Sequence, residues 1–145
     1  MRGRRLTAVS GSFYETRDLA ALDEPPVFLW LTFDESITVR ISTRGDGALR
    51  LEEGTGSEVD LGECGALRVR NISRTIPFAT LIDRQLIDVH CLSLEPDPPF
   101  PPCFGFELEF ERDGRLVMAN WGDELLISDR LPQEIEREGV LRARL

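Results

Sequence analysis

A chain of 145 residues with 41% hydrophobic and 30% charged residues has the composition of an ordinary soluble globule, long enough for one domain around one core. Its net charge of −9 argues against nucleic acid as a partner, and no apolar run approaches the roughly 20 residues a membrane-spanning helix needs. All 17 basic residues are arginine, which excludes a Schiff-base lysine and a phosphate-loop lysine.

The N-terminus, MRGRRLTAV, is basic, but no apolar stretch follows it, so no secretory signal is expected. Leu6 to Val9 reads as a first strand, and Leu19 to Leu22 as one helical turn. From Val27 to Asp34, Leu29, Leu31 and Phe33 fall on one face; Ile37, Val39 and Ile41 continue it after a turn at Asp34-Glu35-Ser36, which predicts a hairpin. Gly45-Asp46-Gly47 closes that hairpin's second strand, and a short third strand covers Ala48 to Leu51. Glu52 to Glu63 is Gly-rich and acidic, and Ala66 to Ile72 reads as a further strand.

Leu86 to Val89 begins the second half, followed by a Pro-rich stretch, Glu95 to Pro102, expected to be stiff and extended. Phe106, Leu108 and Phe110 alternate with Glu107, Glu109 and Glu111, Asp113-Gly114 gives a turn, and Leu116 and Met118 continue the buried face. A turn at Gly122-Asp123 leads to a strand over Glu124 to Ser128. Gln133 to Arg144, with Pro132 near its start, is expected to hold a short helix.

The two halves are one pattern used twice. Pro25 to Leu51 returns as Pro102 to Ser128 at a constant offset of 77, pairing Leu31 with Leu108, Phe33 with Phe110, Gly45 with Gly122 and Leu49 with Leu126. The leading strands, Leu6 to Val9 and Leu86 to Val89, match at an offset of 80. The expected fold is mainly β: two pseudo-repeated antiparallel meanders, about 5–51 and 85–128, forming a sandwich or barrel of about eight strands with one or two short helices, in a single domain over 1–145.

Catalytic machinery is not legible. His90 is the only histidine, and beside Cys91 on a strand it points to the opposite face, so the two do not share a metal; no metal site and no cofactor are expected. Cys64, Cys91 and Cys103 are odd in number without regular spacing, so a disulfide framework is not expected and a cytoplasmic location is the default. The row Glu107, Glu109 and Glu111 reads as the solvated side of a strand.

Asn120-Trp121-Gly122-Asp123-Glu124 is the densest cluster of binding-type residues, although Gly and Asp there also serve an ordinary turn. Phe28 and Trp30 lie opposite Leu29 and Leu31, so that strand is apolar on both faces and is either covered or an interface. The candidate binding residues are therefore Trp30, Asn120, Trp121, Asp123 and Glu124, with no catalytic residue among them.

The second half, through Leu86 to Val89, Phe106 to Phe110, Asp113-Gly114 and Asn120 to Glu124, resembles a pattern recurrent in small uncharacterised bacterial β-rich proteins with an NxGDE turn. Some proteins of that sort resemble immunity proteins, which neutralise a partner toxin by direct binding. The resemblance implies a non-enzymatic interaction domain, and the acidic surface suits a basic partner protein. The alternative is a small-molecule-binding domain with its pocket between the two repeats. Neither reading involves a membrane, and self-association through strand edges is compatible with both.

Overall fold

Period-two alternation of apolar residues yields two antiparallel sheets in the computed structural model, which describes residues 2–16, 19–20, 25–54, 59–60, 66–94 and 103–145. The first sheet holds β1 (Leu6–Thr16), β2 (Leu19–Ala20), β3 (Phe28–Phe33), β4 (Ile37–Thr43), β5 (Leu49–Glu53), β6 (Val59–Asp60) and β7 (Ala66–Asn71). Its order is β5-β4-β3-β1-β7-β6, with β2 paired to β1. The second holds β8 (Leu86–Leu94), β9 (Gly105–Phe110), β10 (Gly114–Trp121), β11 (Glu124–Ser128) and β12 (Val140–Arg144), in the order β11-β10-β9-β8-β12. Neither sheet closes on itself, so the fold is a sandwich and not a barrel. No helix among the described residues is long and apolar enough to cross a membrane.

The repeat extends further than the sequence shows. Leu31 faces Val39 and Leu108 faces Leu116, while Val9 faces Leu31 and Val89 faces Leu108; both copies carry a register shift at the same place, after Leu6 and after Leu86. The strand order β5-β4-β3-β1-β7 matches β11-β10-β9-β8-β12, so each copy has a fifth strand. Asn71 lies opposite Ser10 as Arg144 lies opposite His90, and the N–H groups of Ile72 and Leu145 donate to the carbonyls of Val9 and Val89 at 2.8 and 2.9 Å.

Where the copies meet, their hydrogen bonds exchange roles. Leu6 N–H donates to Arg84 O at 3.1 Å and Leu86 N–H to Arg4 O at 2.8 Å; Asp83 N–H donates to Leu6 O and Gly3 N–H to Leu86 O. Gly3 (φ 82°) and Asp83 (φ 68°) take the same left-handed conformation to enter these strands. The carboxylates of Asp34 and Glu111 each accept the N–H of the residue before the leading leucine, Arg5 at 2.9 Å and Gln85 at 3.1 Å. These exchanged pairs are the signature of a pseudo-twofold axis between the two sheets.

The inner faces form the core: Leu6, Val9, Leu29, Leu31, Phe33, Ile41 and Leu49 pack with Leu86, Leu108, Phe110, Leu116, Met118 and Leu125. Phe78 and Leu81, from the connection between copies, join them. A second cluster sits on the outer face of the second sheet, where Leu131 and Ile135 cover Leu92, Phe104, Val117 and Ala119.

Several local expectations change. The short helix expected within Gln133 to Arg144 is present as α1 (Gln133–Glu136) after Pro132, but the rest of the stretch is not loop: Gly139, at φ 85°, turns the chain back, and 140–144 pairs with the open edge of β8. Leu19–Ala20 is a strand rather than the start of a helical turn, because it folds back on Glu15–Thr16 in register; Ala21 and Leu22 lie outside the described residues, as does the Pro-rich 95–102 stretch. Gly122 (φ 65°) and Asp123 (φ 62°) make a two-residue turn, but in the first copy the turn is longer and Gly47, not Gly45, carries the positive φ. That extra length makes Leu125, and not Leu126, the counterpart of Leu49: Leu49 faces Thr43 as Leu125 faces Asn120.

Cys91 and Cys103 form a disulfide, with Cα atoms 5.7 Å apart. An odd count does not prevent one bridge, and adjacent strands bring these two together; the count therefore gives no ground for a reducing compartment. Glu107 is not on a solvated face: it is 4% exposed, beside the covered Val117 and Ala119.

Candidate functional site

An open cleft of about 700 Å³ lies where the two copies meet at one end of the sandwich. One wall is β11, which contributes Glu124 to Ile127, together with Trp121 from the end of β10. The opposite wall is the segment after β7, Ile72 to Phe78, with Phe13, Arg70, Pro25 and Pro26 completing the lining.

Local chemistry sets each wall. Beyond β7, Asn71 Oδ1 accepts Ser73 N–H at 3.0 Å, and Ser73 Oγ accepts Val9 N–H at 2.8 Å, which pins the departing chain against β1. Thr75 then caps a tight turn by accepting the N–H groups of Phe78 and Ala79 at 2.8 and 3.0 Å through its carbonyl. Phe78 is driven into the core at 2% exposure, so Ile76, two residues before it, is left 85% exposed over a cis peptide to Pro77. On the other wall the two-residue turn holds Trp121 at the strand end, 38% exposed, with its ring 5.9 Å from that of Phe104.

β11 is also the edge of its sheet. Residues facing each other in an antiparallel pair alternate between exchanging hydrogen bonds and not exchanging them. Asn120 N–H donates away from β11, to Phe104 O at 2.7 Å, so Asn120 and Leu125 form a non-bonded pair. The peptide groups of Leu125, and by the same alternation those of Ile127, point away from β10, where the strand order places no neighbour. Among the described residues these groups have no backbone partner.

The five residues singled out from sequence divide. Trp121 and Glu124 line the cleft and Asp123 is exposed on the turn between them. Asn120 is buried at 4% exposure, and its Nδ2 donates to the carbonyls of Arg44 and Ala48 at 2.8 and 2.9 Å, so it ties the two copies together below the cleft. Trp30 is elsewhere, on the outer face of the first sheet, covered to 4% exposure with its indole N–H unpartnered among the described residues. Its neighbour Phe28 carries the Arg40 guanidinium 5.3 Å above its ring, so that face is covered in part by a cation–π contact. Sequence reading missed the Ile76-Pro77-Phe78 wall, although an Ile-Pro-Phe run inside a polar connection was a visible signal.

No family model matches the chain, and neither does any curated protein or solved structure. The function therefore rests on the cleft itself. Among the described residues its polar lining is one carboxylate (Glu124), one guanidinium (Arg70, which lies 5.9 Å from the Phe13 ring) and the Thr75 hydroxyl; the rest is apolar or backbone. That set suits recognition of an apolar group beside a cation, aligned by strand-type hydrogen bonds.

Proposed function

We propose that this protein is a non-enzymatic, immunity-like interaction domain that captures an extended segment of a basic partner protein along β11. One observation carries the reading: an unpaired strand edge lies beside a cleft whose two walls present Trp121 and Ile76 to solvent. An added strand gains affinity from main-chain hydrogen bonds to Leu125 and Ile127, and specificity from alternate side chains that enter the cleft. Exposed edges with apolar surroundings are ordinarily protected, and this one carries neither Lys nor Pro. The net charge of −9 favours encounter with a basic partner, and Glu124 with Asp123 places carboxylates at the mouth.

The test is capture of the partner from the native host, followed by binding kinetics with Ile127→Pro. Proline at 127 removes an outward N–H while leaving the β10 ladder intact, a substitution edge strands tolerate. Binding should weaken at least tenfold with the melting temperature held close to that of the parent. A partner that is strongly acidic, or one indifferent to Ile127→Pro, overturns the reading.

A second reading has its own support. The cleft volume of about 700 Å³ falls within the range of small-molecule sites. Native mass spectrometry of protein purified from its host separates the two: a co-purifying metabolite, displaced on Trp121→Ala, favours the small ligand.

A further inference from the structure

Away from the cleft, on the outer face of the second sheet, His90 on β8 stands directly opposite Glu107 on β9, and Glu109 follows two residues along on the same face. One ligating atom from each of the three lies within 4.8 Å of the others. We propose that His90, Glu107 and Glu109 form a binding site for a divalent transition metal of the zinc class.

The strand ladder fixes the geometry. Cross-strand neighbours and i, i+2 residues on one sheet face keep their spacing without any loop having to order, so the ligand set is preorganised. Two of the three, His90 and Glu109, also lack what a purely structural role would supply. His90 Nδ1 is shielded from solvent and has no hydrogen-bond partner among the described residues. Glu107 is 4% exposed, and its ion pair is with Arg142 Nε at 3.4 Å, whose terminal nitrogens are engaged by Glu136. The Glu109 carboxylate makes no hydrogen bond or ion pair among the described residues. A buried carboxylate and a shielded imidazole nitrogen are costly without a cation or donor between them.

Apart from Arg115, which stands opposite Glu109 on β10 and is exposed, the neighbouring charges are committed. Asp88, the next acid on β8, is bound by Arg144 at 2.8 Å and Arg2 at 3.1 Å. Those guanidinium groups are drawn to Asp88, and Arg142 is shared between Glu136 and Oε2 of Glu107, which leaves Oε1 of Glu107 to a smaller cation beside His90 and Glu109.

Comparison of the two copies shows that the fold does not require these residues. The pseudo-twofold places Ser10, Trp30 and Thr32 where the second copy has His90, Glu107 and Glu109, and the same ladder forms with them. The polar trio is therefore an addition to the architecture. The ligand types choose the metal: imidazole with carboxylate suits zinc, whereas calcium and magnesium prefer all-oxygen shells. Three protein ligands leave a fourth position for water or a group from a partner.

Isothermal titration of chelator-treated protein with zinc chloride tests this, in a Cys64→Ser background that keeps a thiol from competing. One equivalent should bind, with calcium and magnesium at least a hundredfold weaker. Glu109→Gln should weaken zinc about tenfold or more, and X-ray absorption should show a first shell of nitrogen and oxygen only. His90→Gln should abolish binding, and Glu109, being half-buried and unpaired, supplies a variant that keeps its fold if His90→Gln does not. Absence of stoichiometric zinc binding, unchanged affinity in Glu109→Gln with an unchanged melting curve, or sulfur in the first shell would each overturn the site.

Discussion

Asn120, in the second copy, donates through Nδ2 to the carbonyl oxygen of Ala48 in the first at 2.9 Å. The same nitrogen reaches Arg44 O at 2.8 Å, so one carboxamide spans a turn that is one residue longer than the turn of its own copy. Its counterpart under the pseudo-twofold is Thr43, whose hydroxyl makes no such bond among the described residues, and the two copies are therefore joined asymmetrically here.

Replacing Asn120 should reveal that bond in a particular order. Asn120→Ala removes two donors, while Ala48 O still accepts Arg44 N–H and Arg44 O still accepts Gly47 N–H, so the loss should be about 1–2 kcal/mol. Asn120→Asp places a carboxylate against two carbonyl oxygens in a buried site and should cost more. Urea unfolding of both variants checks the order; equal losses would mean the bonds contribute little.

Phe33 and Phe110 occupy equivalent places and are 0% and 2% exposed. Each, replaced by alanine, should lose on the order of 3–5 kcal/mol, the usual cost of emptying a packed aromatic site. Leu51, on β5, is 41% exposed, and Leu51→Ala should stay within about 1 kcal/mol. Chemical denaturation of the three variants measures whether the two sheets share one core equally.

The central meander was legible because its alternation is strict and its offset of 77 is constant from Pro25 to the Gly-Asp turn. The first copy's fifth strand was legible as well, over Ala66 to Ile72, but β12 was not, since the connections before the two strands differ in length and shift the relation between copies. The runs Leu67-Arg68-Val69-Arg70 and Leu141-Arg142-Ala143-Arg144 look alike, yet the ladders align Val69, not Arg68, with Arg142. A one-residue shift reverses which face each side chain takes, so similarity of sequence misled where register decides. The cleft was half legible: Trp121 and Glu124 stood out, but an open edge is a property of strand order and leaves no mark on β11 itself. His90 was weighed against its sequence neighbour Cys91, whereas its spatial neighbours are carboxylates on the next strand.

Glycine substitutions distinguish a turn requirement from a packing one. A Cβ on Gly105 would lie 2.6 Å from Met118 O and 3.0 Å from Ala119 Cα, backbone atoms of the paired strand that cannot move aside. Gly105→Ala should cost about 1–3 kcal/mol through this overpacking. Gly45, which the repeat pairs with Gly122, has nothing within 4 Å and no positive φ, so Gly45→Ala should be near neutral. Thermal melts of the two variants should separate clearly; the opposite ranking would contradict the observed turn.

The two tryptophans should part fold from binding. Trp30 is covered to 4% exposure, so Trp30→Ala empties a packed site and should lose about 3–5 kcal/mol of stability. Trp121 is 38% exposed and rests on Phe104 by one tilted ring contact, so its replacement should cost only about 1 kcal/mol. If the cleft captures a partner, Trp121→Ala should instead speed dissociation, since short-range apolar contacts act after encounter. Raising ionic strength should slow association, because the net charge of −9 acts at long range and is screened. Surface-plasmon kinetics across a salt series, on both variants, reads the two effects separately. Slower association in Trp121→Ala with dissociation unchanged would place the indole outside the contact, and association indifferent to salt would remove the electrostatic half of the reading.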